Sequence, residues 1–381
     1  MHHTAARFAR LKHHHLFTAS LLLGLLAGAS PARAEASSNE IPWQVGRILS
    51  VTPAGASVYT LASTSDVQLR VEFLRSDVFR LLAAPGGRFA DPKNKPELAQ
   101  IVVQTAPSAA AVRLCETPAG WSFSTTSLTL RVWRDDGRFE LDDAQGRAIW
   151  REVRPLAFDG SNTVQALASS TNFYYFGGGQ QNGYFAHQGR RIEIRADGNW
   201  GEGGHPNPAP FYQSNAGYGA LRHTFATGVY DFTDPAQIAL AHRENRFDAY
   251  YFVGPTLNRL VDLYTQFTGR PNFLPIWGLE LGEADAYMTR DKTTKEPVKD
   301  EQGGYVEVTP HVVPRLAERY REHDMPAGWI LPNDGYGCGY MELECVVQKL
   351  AALGFYTGLW TEKGLKDAAW EVGVAGTRVR K

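Results

Sequence analysis

Three short stretches place acidic side chains directly after apolar runs. They are "ELGEADAY" with Glu280, Glu283 and Asp285, "LPNDGYG" with Asp334, and "LWTEKG" with Trp360, Glu362 and Lys363. An ionised carboxylate accepts charge-assisted hydrogen bonds, which are shorter and stronger than neutral ones. A flat aromatic ring covers an apolar C–H face. Acids and aromatics converging on one spot are therefore what a pocket for a neutral, polyhydroxylated ligand such as a sugar requires. Each acid taken singly could equally cap a helix or face water. Their recurrence at three successive strand ends points to a shared site, and Gly335, Gly337 and Gly339 after Asp334 would let backbone approach a ligand closely.

A second polar stretch, "RADGNWGEGGHPNP" over residues 195–208, carries Asp197 and Trp200. An ordinary surface loop is its alternative reading, since functional and plain loops share this composition. The glycine-rich "GGGQQNG" lacks the Lys-Ser/Thr pair of a nucleotide-binding loop, so no phosphate ligand is expected there. Cys338 and Cys345 could close a small loop beside Asp334 or remain free thiols, and Cys115 stands apart. Their spacing is not that of a metal site, and neither a metal nor a cofactor is expected.

The elements that must position these residues fall into two regimes. Over residues 41–252, short runs such as "VQLRVEFL", "IVVQT", "LTLRVW" and "RRIEIRA" are expected as strands, separated by turn signals such as "PGG", "DDG" and "ADG". That pattern predicts an antiparallel β-sandwich. "DAYYFVG" closes it as a strand, and "PTLNRLVDLYTQFTG" predicts a helix with Leu257, Leu260, Val261, Tyr264 and Phe267 on its buried stripe. Beyond it, "PIWGLEL", "AGWILPN" and "FYTGLWTE" are expected as strands, alternating with helices in "TPHVVPRLAERYREHDMP" and "MELECVVQKLAALG". Alternation at this spacing implies parallel βα units. In a parallel βα barrel functional side chains sit at the C-terminal strand ends, which is where the acids lie.

The expected fold class is thus multidomain, β plus α/β. A sandwich over residues 35–253 is followed by a helical connector over 254–271 and an incomplete (β/α)8 barrel over 272–381. This last segment is far shorter than the ~250 residues of a complete barrel, so the chain is expected to be a fragment that ends inside it.

Residues 1–34 are expected to be a secretory signal peptide. Arg7, Arg10 and Lys12 precede the apolar run of residues 17–29, and "ARA" at 32–34 offers a cleavage site. The run is shorter than the ~20 residues of a spanning helix. The 381 residues carry 39 basic and 40 acidic side chains. Cleavage would remove Arg7, Arg10, Lys12 and Arg33 and no acid, leaving 35 against 40, a net charge of −5. Such a balance disfavours a nucleic acid or an anionic membrane as partner. The mature protein is expected to be secreted or periplasmic.

Three further stretches carry a resemblance. "FYYFGGGQQNG" at residues 173–183, "PFYQSNAGYGALRHTF" at 210–225 and "YYFVGPTLNRLVDLYTQFTGRPNFLPIWGLELGE" at 250–283 resemble glycoside hydrolase family 31, the α-glucosidase-like enzymes, and the likeness covers roughly residues 160–381. "PNDGYGCGY" and "GLWTEKGL" are similar to the bacterial isomaltosyltransferase and cycloalternan-forming branch. The resemblance implies a galactose-mutarotase-like sandwich ahead of a (β/α)8 barrel, and an α-linked oligosaccharide or glucan as substrate for hydrolysis or glycosyl transfer. By it, Asp334 matches the second, sugar-binding aspartate of the motif that typical α-glucosidases carry, while Pro332 stands where that motif has its first, which leaves glucose specificity open. Glu283, Asp285, Trp360 and Glu362 would line the same pocket, and Asp197 and Trp200 would sit on a sandwich loop reaching over the barrel mouth. A retaining mechanism needs a nucleophile and an acid/base carboxyl. Both are expected beyond Lys381, so no residue of this chain is named as catalytic and the fragment itself is expected to be inactive. A non-catalytic carbohydrate-binding protein is the alternative of a different class.

Overall fold

The computed structural model describes residues 43–92, 100–103, 110–284, 302, 309–332 and 342–359. The chain divides into two compact units, Met1–Phe267 and Thr268–Lys381. Residues 1–34, expected from the sequence to be a signal peptide, lie outside the described residues.

The first unit holds eighteen strands among its described residues. Its first half supplies β1 (Trp43–Gln44), β2 (Ile48–Gly55), β3 (Val58–Ser63), β4 (Val67–Arg75), β5 (Val78–Pro85), β6 (Arg113–Thr117), β7 (Gly120–Ser124), β8 (Leu128–Trp133) and β9 (Phe139–Asp143). Its second half supplies β10 (Ala148–Phe158), β11 (Thr163–Ala168), β12 (Tyr175–Gly179), β13 (Arg191–Ile194), β14 (Pro208–Ser214), β15 (Tyr218–Arg222), β16 (Gly228–Asp231), β17 (Gln237–His242) and β18 (Phe247–Val253). One sheet has the order β12-β14-β15-β18-β5-β4-β3-β2. The other runs β13-β16-β17-β11-β10-β9-β8-β7-β6, with β1 also paired to β10.

Alternation builds the sheets. In β4 the side chains of Val67, Leu69, Val71 and Phe73 are buried while the residues between them reach toward solvent. The inner faces meet in one core, where Leu69, Phe73 and Phe79 of one sheet join Phe123, Leu130 and Leu141 of the other. Aromatic packing ties it together, with Tyr59 and Phe123 centroids 5.0 Å apart and Phe79 stacked on Tyr251 at 4.9 Å. β18 is buried on both faces. Its Ala249, Tyr251 and Val253 enter the core between the sheets, whereas Tyr250 and Phe252 lie under helix α1 (Leu257–Thr268).

Two sequence expectations need correction here. The buried stripe of α1 is Leu260, Leu263 and Phe267, with Val261 40% exposed. Positions 260, 263 and 267 align at helical spacing over Phe252 and Tyr250, and Val261 is turned away from that face. "IVVQT" is not a strand at residues 101–103, the described part of it. Val102 instead buries itself beside α1, and the Val103 N–H donates to the Phe267 carbonyl at 2.8 Å.

The second unit contains α2 (Ile276–Leu279), β19 (Gly282–Glu283), α3 (Thr309–Glu322), β20 (Trp329–Ile330), α4 (Leu343–Ala352) and β21 (Tyr356–Thr357). The strands are parallel in the order β19-β20-β21. Val313 and Ala317 of α3 and Val346 and Leu350 of α4 pack with Ile330 and Phe355. The expected strand in "PIWGLEL" is largely helix: Pro275 presents φ −65° as its N-cap, and the Gly278 N–H closes on the Pro275 carbonyl at 2.9 Å. A short apolar run has no period to separate helix from strand, and a proline ahead of it presets the first turn. The strand starts only at Gly282.

Candidate functional site

In the second unit the parallel strands direct their C-terminal ends the same way. The Leu331 N–H donates to the Glu283 carbonyl at 2.7 Å and the Gly358 N–H to the Ile330 carbonyl at 3.0 Å, so Glu283 sits where β19 stops. Gly282 is obligatory there, since a Cβ would lie 1.9 Å from the Trp329 indole. Trp329 thus lies across the start of β19, and Trp277 stacks on Tyr356 at 4.2 Å. The Tyr320 hydroxyl of α3 donates to Glu283 Oε2 at 2.9 Å. Partial desolvation, helped by that carboxylate, raises the Tyr320 hydroxyl, which therefore stays a donor at neutral pH. Glu283 is in this way an oriented acid at a strand end. Asp285, Asp334, Trp360 and Glu362 lie outside the described residues, which stop at Pro332 after β20 and at Leu359 after β21. Cys338 also lies outside them, and Cys115 and Cys345 are free thiols.

In the first unit the loop between β13 and β14 carries Asp197 and Trp200. Asp197 Oδ1 accepts the N–H groups of Asn199 at 2.9 Å and His205 at 3.1 Å, while His205 Nε2 lies 3.4 Å from Oδ2. Slight desolvation opposes these donors, but they prevail and hold the Asp197 carboxyl below its ordinary value. Asp197 is thus the staple of its own loop. Trp200 is 70% exposed.

The neighbouring loop after β12 is stitched to this one through Asn182. Its Nδ2 donates to the carbonyls of Trp200 and Gly201, both at 3.0 Å, and its backbone exchanges hydrogen bonds with Gly203 and Gly204 at 3.1 and 2.9 Å. The triple glycine that starts the loop has a structural cause. Gly179 has φ +75°, and a Cβ on it would fall 2.3 Å from the Ala209 nitrogen and 2.4 Å from the Asn207 carbonyl of β14 and its lead-in. Burial, against a 2.8 Å contact of Nε2 with the Gly177 carbonyl, lowers the His187 imidazole below its usual range and keeps it neutral.

One cluster escaped the sequence because its members are far apart in the chain. Asp91, His223 and Asp248 bring ligand-type atoms within 4.8 Å of one another. The Arg80 guanidinium occupies the space a cation would need, with Nη2 2.6 Å from Asp91, 2.8 Å from Asp248 and 3.3 Å from His223 Nδ1. Arg246 adds a bond to Asp248 at 3.0 Å. Burial alone would raise the Asp248 carboxyl, but the hydrogen bonds from Arg80 and His223 outweigh it and hold it at about 2. The residues present fit a buried ion-pair network and not a metal, which would meet two guanidinium groups. Glu152, fully inside the core, is the opposite case. Desolvation pushes it up to about 8, although Gln165 Nε2 and the Phe139 N–H both donate to it.

Residues 68–231 match the family described as glycosyl hydrolase 31 N-terminal galactose mutarotase-like domain. Over that span the chain is similar to the N-terminal domain of glycosyl hydrolase family 31. The chain is 22% identical over 291 residues to Alpha-glucosidase 2 of Bacillus thermoamyloliquefaciens, covering 71% of itself and 33% of that protein. Its fold is similar to that of a family 31 dextranase of Flavobacterium johnsoniae solved with isomaltotriose, with TM-score 0.69, 14% identity, and 83% and 38% of the two chains covered. It is similar also to the cycloalternan-forming enzyme of Listeria monocytogenes solved with a pentasaccharide substrate, with TM-score 0.64, 16% identity, and coverage of 84% and 33%. The chain therefore spans about a third of the length of these relatives.

Proposed function

We propose that this chain forms the sandwich and the first βα units of an exported, α-glucan-active retaining enzyme, a glycoside hydrolase or transglycosylase of family 31. The observation that carries the proposal is a family 31 sandwich followed directly by parallel strands alternating with helices, with an oriented acid, Glu283, at the first strand end. A (β/α)8 barrel gathers such ends on one face. Asp334, Asp285, Trp360 and Glu362 follow the same or the next two strands and would complete a sugar pocket with Glu283. Asp197 and Trp200 would meet the substrate from the sandwich loop. The likeness to a dextranase and to a cycloalternan-forming enzyme supports α-linked glucosyl units as the substrate.

The decisive experiment is product analysis on maltose, isomaltose and panose with a polypeptide that carries this chain and shows turnover. In it, Asp334→Ala should lower kcat/KM about ten- to a hundredfold, the worth of one charge-assisted hydrogen bond to a desolvated sugar. Wild-type kcat/KM in that variant would remove Asp334 from the site. Binding of α-glucans with no turnover by any polypeptide carrying the chain would replace the enzyme with a carbohydrate-binding protein.

A further inference from the structure

The two stitched loops of the sandwich present aromatic side chains with no packing role that would require them to face outward. Phe185 is 87% exposed and Trp200 70% exposed. Phe185 rests on Phe176 with centroids 5.4 Å apart, and its neighbour Tyr184 carries the Arg190 guanidinium 3.6 Å above its ring. Between the loops lies an open concavity of about 430 Å³ whose lining includes Asn182, Tyr184, Arg190, Glu193 and His205. Amide bonds run through the loops themselves: Gln180 donates to Asn182 at 3.0 Å, and Asn207 donates to Gln180 at 2.9 Å.

Exposed rings on two loops joined by hydrogen bonds, with Tyr184 among the residues that line the polar hollow, suit one kind of ligand. A pyranose offers an apolar C–H face to a ring and hydroxyls around its edge to amides and carboxylates. A protein partner would be expected to bury a broad, charge-depleted patch, whereas here single rings stand among charged and amide groups. The amide bonds fix the loops in advance, so little ordering would be lost when a chain of sugars settles on them. Phe185 lies three residues after Asn182, whose side chain touches the Trp200 carbonyl. The two α-carbons are therefore no more than about 20 Å apart, within reach of a short oligosaccharide.

We propose that Phe185, with Tyr184 beside it and Trp200 on the adjoining loop, forms a sugar-stacking surface that holds glucosyl units of an α-linked glucan on the sandwich. The proposal rests on the α-glucan reading of the function and names a residue and a chain-length preference that the reading does not contain.

The test is a calorimetric titration of the 381-residue chain with glucose and with malto- and isomalto-oligosaccharides of two to six units. Phe185→Ala should weaken binding of the longer oligosaccharides about tenfold and leave any glucose binding unchanged. Phe185→Tyr should retain affinity and Phe185→Leu should not, because a ring face is required and not apolar bulk. The exposure of Phe185 means that the melting temperature should be the same in all three variants, which separates lost stacking from lost fold. Unchanged affinity in Phe185→Ala, with binding that still falls in Asp334→Ala, would overturn the stacking surface and leave the α-glucan reading standing. Failure of the wild-type chain to bind any of these oligosaccharides would overturn the stacking surface, and absence of turnover and binding in any longer polypeptide would then remove the α-glucan reading as well.

Discussion

At the scale of single residues, Glu152 makes the stability of the sandwich depend on pH. Its carboxyl is raised by burial from an ordinary value of 4.5 to about 8 in the folded state. Between those values the unfolded chain has lost the proton that the folded chain keeps, so stability is full below about 4.5 and falls as pH rises through about 8. The total effect should be a few kcal/mol, and Glu152→Gln, which cannot ionise, should flatten the decline between those pH values. Chemical denaturation at a series of pH values measures it, and an equally steep decline in the glutamine variant would exclude Glu152 as its source. Legibility at this scale is uneven. Glu283 was visible as an acid closing an apolar run, but its Tyr320 partner lies on a helix 37 positions further along the chain. Arg80 and Asp248 are separated by 168 positions, and no spacing rule joins them. Phe185 had a local signal, a bulky aromatic just after a glycine- and amide-rich loop, although the sequence alone gives no reason to choose it over the tyrosine beside it.

At the scale of elements, helix α1 gives a sharp test of packing. Leu263 is completely buried against the outer face of the eight-stranded sheet, and Val261 is 40% exposed. Leu263→Ala should cost about 2–5 kcal/mol and Val261→Ala under about 1 kcal/mol, compared by denaturant midpoints. Equal losses would mean that the helix is rotated toward the stripe expected from sequence. That expectation missed only in taking Val261 for Leu263: Leu257, Leu260, Tyr264 and Phe267 do pack on this core, while 261 and 263 both flank a helical stripe and only the partner surface of Tyr250 and Phe252 chooses between them. Strands with one wet face, such as β4 and β8, were legible from alternation. Runs without alternation were not: "PIWGLEL" folds back as α2 after its proline, and "IVVQT" is drawn out of any sheet by the burial of Val102 beside α1.

At the scale of the whole molecule, the division into two units follows the change from alternating to helical patterning, and the cut at residues 267 and 268 leaves α1 with the sandwich it covers. Export is the prediction that belongs here. Protein recovered from the periplasm or medium of an expressing bacterium should begin at Glu35, as read by intact mass, because small residues at 32 and 34 flank the expected cut. An intact Met1 terminus on the recovered protein would exclude the cleavage.

The position of β18 has a consequence in time. It lies between β15 and β5 in the middle of its sheet, and its residues 247–252 pair with residues 78–83. Through the whole interval in which a ribosome adds the intervening residues, about 10–30 s at ordinary elongation rates, β5 has no neighbour on that side. The sheet can only zip shut once β18 has emerged, so until then β5 presents an open edge to whatever the growing chain meets, and anything that holds the chain in that interval holds it before its central strands have joined.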